Sequence, residues 1–564
     1  MTHKGAATRL AADILVVGAG PVGLTLAMDL AWRGVDVIVV ETRHRSERPS
    51  VKSNHVAARS MEIFRRLGLA AKVRDAGLPA DHPNDVAYRT SFLGTELTRI
   101  PIPCRADRYT ATGGPDTWWP TPEPPHRINQ IYLEPVLSAH LAEQPGVRIL
   151  DRTSLQGFNQ TADGVVAEAT NLDSGAAIEI ACKFMVGCDG GGSMVRKAIG
   201  ARLSGDPMLQ RVQSSYIRAP DLLPMLQAKG GVRAWGSFAI NPRRSGNVYA
   251  IDGRETWLVH AYMHEHETEF DAVDRDAGIR DLLGVGPDFT YELISKEDWI
   301  GRRLVADKFR DRRVFICGDA CHLWVPFAGY GMNAGIADAT NLSWLLAAHL
   351  AGWADAGILD AYEAERLPIT EQVSHFAMKH AIAMSKARRE IPTAIEAEGP
   401  EGERVRAAIG KAAYDLNVQQ YCCAGLNFGY FYEGSPIIAY DEETAPSYTM
   451  GDFTPSTVPG ARVPHLWLSP ERSLYDAMGA GYTLLRFDPG VNVDALTAAA
   501  AAAGLPLTVL DVPRALAPDV YRHALLLARP DLHVAWRGDT PPADSRALID
   551  LLRGARRGAA RAAA

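Results

Sequence analysis

Apolar residues run through Ile14–Val17 and stop at a glycine, the pattern of a short strand buried on both faces. Val22, Leu26 and Leu30 then recur at helical spacing, and Gly34 supplies the stop. A second β-branched run from Val35 to Glu41 completes a βαβ unit. Residues 80–128 are rich in proline and glycine, with "GGPDTWWPTPEPP" as their centre, and predict a long excursion over a site. From Arg148 to Gly190 apolar and polar residues alternate around two turn signals, which predicts a β-meander ending in a buried strand at Phe184–Cys188. Further alternation over residues 205–305, as in "NVYAIDG" and "TWLVHAYM", predicts an antiparallel sheet. "RRVFICGDA" is again a strand that ends at glycine. A helix beginning near Asn333 follows, with Ile336, Leu342, Leu345, Leu346 and Leu350 on its pattern, and helices continue to Met384 with an interruption at Pro368.

Turn-forming residues cluster at 430–465 and place a boundary there. The expected organisation is one unit over 10–400, with an interleaved sheet drawn from about 80–120 and 205–305. A connecting segment at 401–459 and a small α/β module at 460–564 complete it. The last residues, with Arg553, Arg556, Arg557 and Arg561, read as a frayed basic helix end, and no internal repeat is present.

Composition narrows the function classes. The 564 residues carry 59 basic and 66 acidic side chains, a net charge of −7, which leaves no basic footprint for nucleic acid. The seven cysteines (Cys104, Cys182, Cys188, Cys317, Cys321, Cys422, Cys423) are odd in number and scattered, unlike a secreted disulfide framework. No Cys/His spacing suits zinc, and His264 and His266 read as part of a solvated charge run. With no signal-like N-terminus and no run of 18 strongly apolar residues, the expectation is a soluble, cytoplasmic protein without membrane contact.

The first chemical motif is Gly18-Ala19-Gly20-Pro21-Val22-Gly23, between strand and helix. Gly18 permits the tight turn, Gly20 lets a pyrophosphate approach the backbone, and Gly23 lets helix and strand pack closely. The helix start offers unpaired N–H groups and partial positive charge to phosphates. Glu41, 18 residues beyond Gly23, is placed to accept hydrogen bonds from a ribose diol. The motif signals a dinucleotide and leaves NAD(P) and FAD both open. Two later segments bear on that choice: "CDGGGSMVR", with Asp189 after the buried strand, and "GDACHLWVPFAGYGMNAGIADATNLSWLL", with Asp319 at a strand end. The second offers a carboxylate for polyol hydroxyls, then a glycine-bearing loop, then a helix whose positive end suits the N1–C2=O edge of a reduced flavin.

These three segments, in this order, resemble the single-component FAD-dependent aromatic hydroxylases, the family of para-hydroxybenzoate hydroxylase and the phenol hydroxylases, over roughly residues 12–375. The resemblance implies a Rossmann-like FAD-binding domain interleaved with an antiparallel-sheet substrate domain. In it Gly18, Gly20, Gly23 and Glu41 would bind the ADP part of FAD, and Gln130 in "RINQIYLEPVL" matches the FAD-contacting glutamine. Asp189 lies in the motif shared by FAD and the nicotinamide donor. Asp319 would hold the ribityl chain, Pro326 would lie on the substrate side of the flavin, and Gly331, Met332 and Asn333 would meet the ring. Arg59 matches a weaker pattern near the ring. The sequence departs from the family at Thr42, Cys321, Val325 and Phe327-Ala328, and Trp324, Phe327 and Tyr330 make the facing pocket aromatic. The last hundred residues resemble the thioredoxin-like appendage of the phenol and polyketide hydroxylases, without a cysteine and therefore without thiol chemistry.

The implied reaction is hydroxylation of a phenolic or related aromatic substrate with O2 and NADPH or NADH, through a flavin C4a-hydroperoxide. Tyr249, His260 and Tyr330 are candidate bases, none of them singled out, and a homodimer is compatible with the reading. The rival readings are a non-catalytic GDI-like GxGxxG carrier, and a flavoprotein oxygenase performing epoxidation or Baeyer–Villiger oxidation on a polyketide. The second GxGxxG expected of a Baeyer–Villiger enzyme is absent, as are the WxWxIP of a halogenase and the GxSxG of a serine hydrolase.

Overall fold

The computed structural model describes residues 8–325, 329–389 and 391–555. Its first sheet is eight-stranded. The strands Val314–Ile316, Ala177–Gly187, Thr8–Val17, Val37–Val40 and Val147–Leu150 lie side by side in that order, all parallel. They read as near-continuous apolar runs because helices cover them: Pro21–Trp32 and Tyr330–Leu350 pack against each other and against this sheet. The register sets Val17 beside Val40 and Gly187, and Gly187 beside Ile316. The chain therefore leaves the sheet at one edge into Gly18, Glu41, Asp189 and Asp319. Motifs separated by about three hundred residues of sequence converge at the carboxyl ends of parallel strands, where open α/β sheets bind ligands. The predicted meander is present as Thr153–Gln160, Val165–Asn171 and Ala177–Gly187.

The second sheet is nine-stranded and almost wholly antiparallel. Cross-strand partners share a face, so the register Tyr88–Phe238–Asn247–His260–Ser214 defines one row pointing one way. Tyr249, two residues from Asn247, joins that face. The apolar residues of the other face, among them Val248 and Val259, bury themselves with Leu222, Leu226, Ile279 and Leu282 of the helices Leu222–Ala228 and Arg275–Leu283.

The C-terminal module has the order Leu507–Asp511, Tyr482–Arg486, Leu525–Ala528, Val534–Gly538. The first two strands are parallel and joined through the helix Asp494–Ala502; the last two are antiparallel and are followed by Ser545–Leu552. This is the thioredoxin-like βαβ–ββα arrangement.

Two sequence expectations change. Pro368 does not interrupt its helix, which runs unbroken from Asp360 to Arg389. Proline costs one backbone bond, but Glu365 and Arg366 in the turn before it are buried and bonded to Arg529 and Asp338, which fixes that turn in place. The segment expected as a connector begins as the helix Gly399–Tyr421, laid on Glu96–Ile100 so closely that a Cβ on Gly410 would stand 2.3 Å from the Leu97 carbonyl oxygen. Within the expected range of about 80–120 lie two strands, Val86–Arg89 and Glu96–Ile100, and the remaining loop to residue 128 is pinned by buried pairs such as Arg74 with Glu123 at 2.7 Å. Arg556, Arg557 and Arg561 lie outside the described residues.

Candidate active site

The glycine motif shows what each glycine is for. Gly18 has φ +102°, and a Cβ there would stand 2.4 Å from the Cys188 carbonyl oxygen. A Cβ on Gly23 would fall 2.0 Å from the Gly18 carbonyl oxygen. Around Gly20 there is nothing within 4 Å, although it caps the helix Pro21–Trp32 and no side chain caps it in turn. Two glycines are thus required by packing, and the middle one faces open space at a helix start with free N–H groups.

Glu41 accepts from the Ala19 N–H at 2.8 Å and from the Arg43 backbone N–H at 2.9 Å. Burial acts to raise its carboxyl, but the Arg43 and Ala19 hydrogen bonds outweigh it and hold the group below its ordinary value. Arg43 also reaches Glu134 at 2.8 Å, and Glu134 accepts from Gln130 Nε2 at 3.0 Å. Gln130, found by resemblance alone, is therefore joined to the glycine turn through Glu134, Arg43 and Glu41.

Asp189 accepts from the N–H groups of Met194 and Val195 at 2.7 and 3.1 Å and from Ser193 Oγ at 2.5 Å. Both its oxygens shape the turn, so the structure gives it a scaffolding role at the cleft. Arg196 carries that turn to the next by donating to the carbonyls of Gly191 and Ala320 at 3.0 and 3.2 Å.

Asp319 differs from all of these. It is solvent-exposed and has no hydrogen-bond or ion-pair partner among the described residues. The protein mass around the cleft floor nevertheless pushes its carboxyl above its ordinary value, with His322 and Lys52 opposing. Directly behind it, Asp338 accepts from His322 Nε2 at 2.8 Å and from Arg366 Nε at 2.7 Å, all three buried. Burial would raise Asp338, but Arg366 and His322 hold it below the ordinary carboxylate value.

The helix Tyr330–Leu350 starts three residues before the predicted start at Asn333, with Gly329 at its N-cap and no side-chain cap. Its first turn spans Tyr330, Gly331, Met332 and Asn333, whose N–H groups are the ones a helix leaves free. Gly331 has nothing within 4 Å of a built Cβ. The Asn333 side chain accepts from the Ala57 N–H at 2.8 Å and Ser60 Oγ at 2.7 Å and donates to the carbonyls of Gly329 and His55 at 2.7 and 3.1 Å. All its side-chain capacity is spent holding the helix start, so only its backbone is available to a ligand. Pro326 and Phe327 lie outside the described residues.

An uncapped helix start beside Gly20, an unpartnered carboxylate at Asp319 and a second uncapped start at Gly331 line one edge of the sheet. That set suits a pyrophosphate, a polyol and an acceptor ring edge in turn. The comparisons agree. Residues 11–377 match the family described as FAD binding domain, and residues 456–555 match aromatic-ring hydroxylase, C-terminal. The chain belongs to the FAD-dependent aromatic-ring monooxygenases. FAD is its cofactor, and NAD(P)H is the electron donor typical of the family. The FAD-dependent monooxygenase apdD of Emericella nidulans is 31% identical over 93% of this chain and 87% of its own length. Tetracenomycin B2 monooxygenase-dioxygenase of Streptomyces olivaceus is 30% identical over 96% and 98%. The rebeccamycin biosynthetic enzyme RebC with reduced flavin superposes with a TM-score of 0.86 at 34% identity, covering 97% of this chain and all of that one.

In this monooxygenase Arg59 faces the C-terminal module. Its guanidinium lies 4.7 Å from the Tyr430 ring and 3.1 Å from His533 Nε2, because the start of its helix is tied down by Asn333 and its exposed side faces the C-terminal module. It lines a cavity of about 250 Å³ between the first domain and that module, with Glu62, Arg66, Arg462 and Asp531. None of the residues of the glycine turn or the Asp319 turn lines it. Of the candidate bases, Tyr330 is buried with its hydroxyl donating to the Leu426 carbonyl. Tyr249 and His260 sit together on the aromatic face of the second sheet, ring centroids 5.9 Å apart, and burial pushes the His260 imidazole down to about 4. The sequence reading missed His322, Asp338 and Arg366, although an aspartate in the apolar stretch "NAGIADATN" was a usable signal. It also missed Gly335, where a Cβ would stand 2.6 Å from Val22 Cγ2 and 2.9 Å from the Gly318 Cα.

Proposed function

We propose that this monooxygenase oxygenates a large, planar, polycyclic phenolic substrate, of the polyketide type, seated between the cofactor cleft and the second sheet. The observation that supports this most is the array of buried rings on that sheet. Tyr88 stacks on Phe238 at 5.1 Å, and Phe238 and Trp235 each contact both Tyr249 and Tyr421 at 4.8–6.3 Å. His260 and Trp299 extend the row at 5.9 Å. Such an array would hold a flat apolar body at low entropic cost and exclude water from it. A one-ring phenol would cover a small part of it.

In this reading Gly20 and the helix start at Pro21 would receive the pyrophosphate of FAD, and Glu41 and Gln130 the adenosine side. Asp319 would take the ribityl hydroxyls and Gly331, Met332 and Asn333 the ring edge through their backbone. When bound, FAD supplies the activation of O2 at the expense of NAD(P)H. The chain's own part is placement: His322, Asp338 and Arg366 fix the floor behind Asp319, and the ring surface orients the substrate edge toward the cleft. A homodimer also belongs to this reading; exposed Trp467 and Leu516 on the C-terminal module support it, and sedimentation of wild type against Trp467→Glu checks it.

Phenol, 2-naphthol and a hydroxyanthraquinone, each scored for stimulated NADPH oxidation and for oxygenated product, test the substrate class. The three-ring compound is expected to give the highest kcat/KM. Turnover of phenol as efficient as that of the larger rings would overturn it.

A further inference from the structure

His55 and Arg127 face each other in a short antiparallel pair, His55–Val56 with His126–Arg127, beneath the start of the helix Tyr330–Leu350. Both are buried, 3% and 4% exposed. His55 lies against that start: its carbonyl accepts from Asn333 Nδ2, and a Cβ on Gly329 would be 3.0 Å from its own Cβ. Arg127 reaches the other way, 4.6 Å above the Trp235 ring and 5.9 Å from the Tyr421 ring. The pair therefore bridges the cofactor cleft and the aromatic surface of the second sheet.

The chemistry of this pair is incomplete. Arg127 Nη1 hydrogen-bonds to His55 Nδ1, and since a guanidinium only donates, Nδ1 is the acceptor. The proton must then sit on Nε2. That Nε2–H is buried and has no hydrogen-bond partner among the described residues. Burial first, and the Arg127 charge next, keep the imidazole neutral, with only the His126 backbone opposing. Arg127 has no carboxylate ion pair among the described residues; it donates weakly to the Tyr421 carbonyl at 3.4 Å. Asp116, whose charge reaches it, is already engaged by Arg108 through a side-chain and a backbone oxygen. Two arginines thus share one carboxylate in a dry interior, where an uncompensated charge is costly.

The geometry points to the His55–Arg127 pair as an anchor for an oxyanion on the rim of the aromatic substrate, a phenolate or a carboxylate. Every free position of the pair is a donor, the local charge is one positive in excess, and the rings beside it are those proposed above to hold the flat body. This rests on the substrate placement proposed above and adds the group by which the substrate is recognised. Charge-assisted hydrogen bonds in such a setting are the strong ones.

The test is binding without turnover. FAD-loaded full-length protein is titrated with 2-naphthoate, 2-naphthol and neutral 2-naphthamide, and the visible flavin spectrum reports occupancy. Naphthoate or ionised naphthol is expected to bind roughly ten- to a hundredfold more tightly than the amide; whichever of the two shows the preference identifies the oxyanion. Arg127→Gln should bring the ratio close to one, Arg127→Lys should keep part of it, and His55→Phe should lower it while leaving amide binding unchanged. Flavin content and melting temperature verify that each variant is folded. Equal affinities in wild type, no spectral response to any probe, or a ratio that survives Arg127→Gln each overturn the inference. Loss of FAD retention in His55→Phe with the ratio intact also overturns it, by assigning the free N–H to the cofactor. Failure of the substrate-class reading would show instead as phenol turned over as efficiently as the larger rings, with the binding ratio preserved.

Discussion

At Asp319 and at the glycines of the first motif, single atoms decide between folding and binding. Gly20→Ala adds a methyl where nothing stands within 4 Å and where φ is −72°, so the variant should fold with an unchanged melting temperature. That methyl would still occupy the space at the helix start, and FAD retention should drop by about tenfold or more. Gly23→Ala, 2.0 Å from a backbone oxygen, should instead fail to fold or melt far lower, because a backbone atom does not move aside cheaply. The pair is read by flavin content after gel filtration together with melting temperature; equal behaviour would refute the division of roles. Asp319→Ala removes a carboxylate with no partner of its own, so it costs no internal contact. It should weaken FAD binding by roughly ten- to a hundredfold, the worth of a charged hydrogen bond of about 1.5–3 kcal/mol, with little change in the apoprotein's stability.

Among the elements, those that read clearly in the sequence are those whose environment is uniform. The strands Thr8–Val17, Val37–Val40 and Val314–Ile316 are buried on both faces, so their apolar runs stand out. The helix Asp360–Arg389 was misread at Pro368 because local propensity there is overruled by ion pairs with residues distant in the chain, Asp338 and Arg529. The glycine motif, Glu41 and Asp319 were legible because spacing alone carries them. The His322–Asp338–Arg366 cluster was not, since it assembles only when two helices and the short strand His322–Leu323 meet. That cluster yields a pH prediction. A depressed carboxyl stabilises the fold above its unfolded pKa, about 3.9, and the contribution is lost as pH falls through the lower folded value. Asp338→Asn should therefore melt well below wild type at pH 7, where it strands the buried Arg366 guanidinium, and the gap should narrow progressively below about pH 4. A constant gap from pH 7 to 3 would contradict it. The helix pair makes a second, independent point: Gly335→Val would drive a branched side chain into Val22 and the Gly318 Cα, so the two helices must separate, and flavin retention and melting temperature should fall together.

For the whole molecule the question is what the C-terminal module is for. It holds no cysteine, and the adjacent Cys422 and Cys423 precede it. Both are buried, and burial pushes the Cys423 thiol up to about 11, the reverse of what a reactive thiolate needs. The double change Cys422→Ser, Cys423→Ser is expected to leave coupled hydroxylation nearly intact; lost turnover with unchanged flavin content and melting temperature would make the pair catalytic. The contact between the module and the first domain is of another kind. Arg529, fully buried, donates to both oxygens of Glu365 at 2.5 and 2.8 Å and to Asp531 at 2.7 Å, while Asn341 on the long helix donates to Glu365 at 2.7 Å. Removing one member of such a buried network strands the others and costs about 3–5 kcal/mol. Arg529→Met should accordingly destabilise the full-length chain by that amount, and truncation near residue 460 should do more, because it bares Glu365, Asn341 and the wall of the cavity that Arg59 lines. The effect should reach the cofactor, since Glu365 and Arg366 are adjacent on one helix and Arg366 holds the floor behind Asp319. Chemical denaturation followed in parallel by flavin fluorescence and tryptophan emission resolves this: the two transitions should shift together in Arg529→Met, and a shift in tryptophan emission alone would show that the module is only appended to the fold.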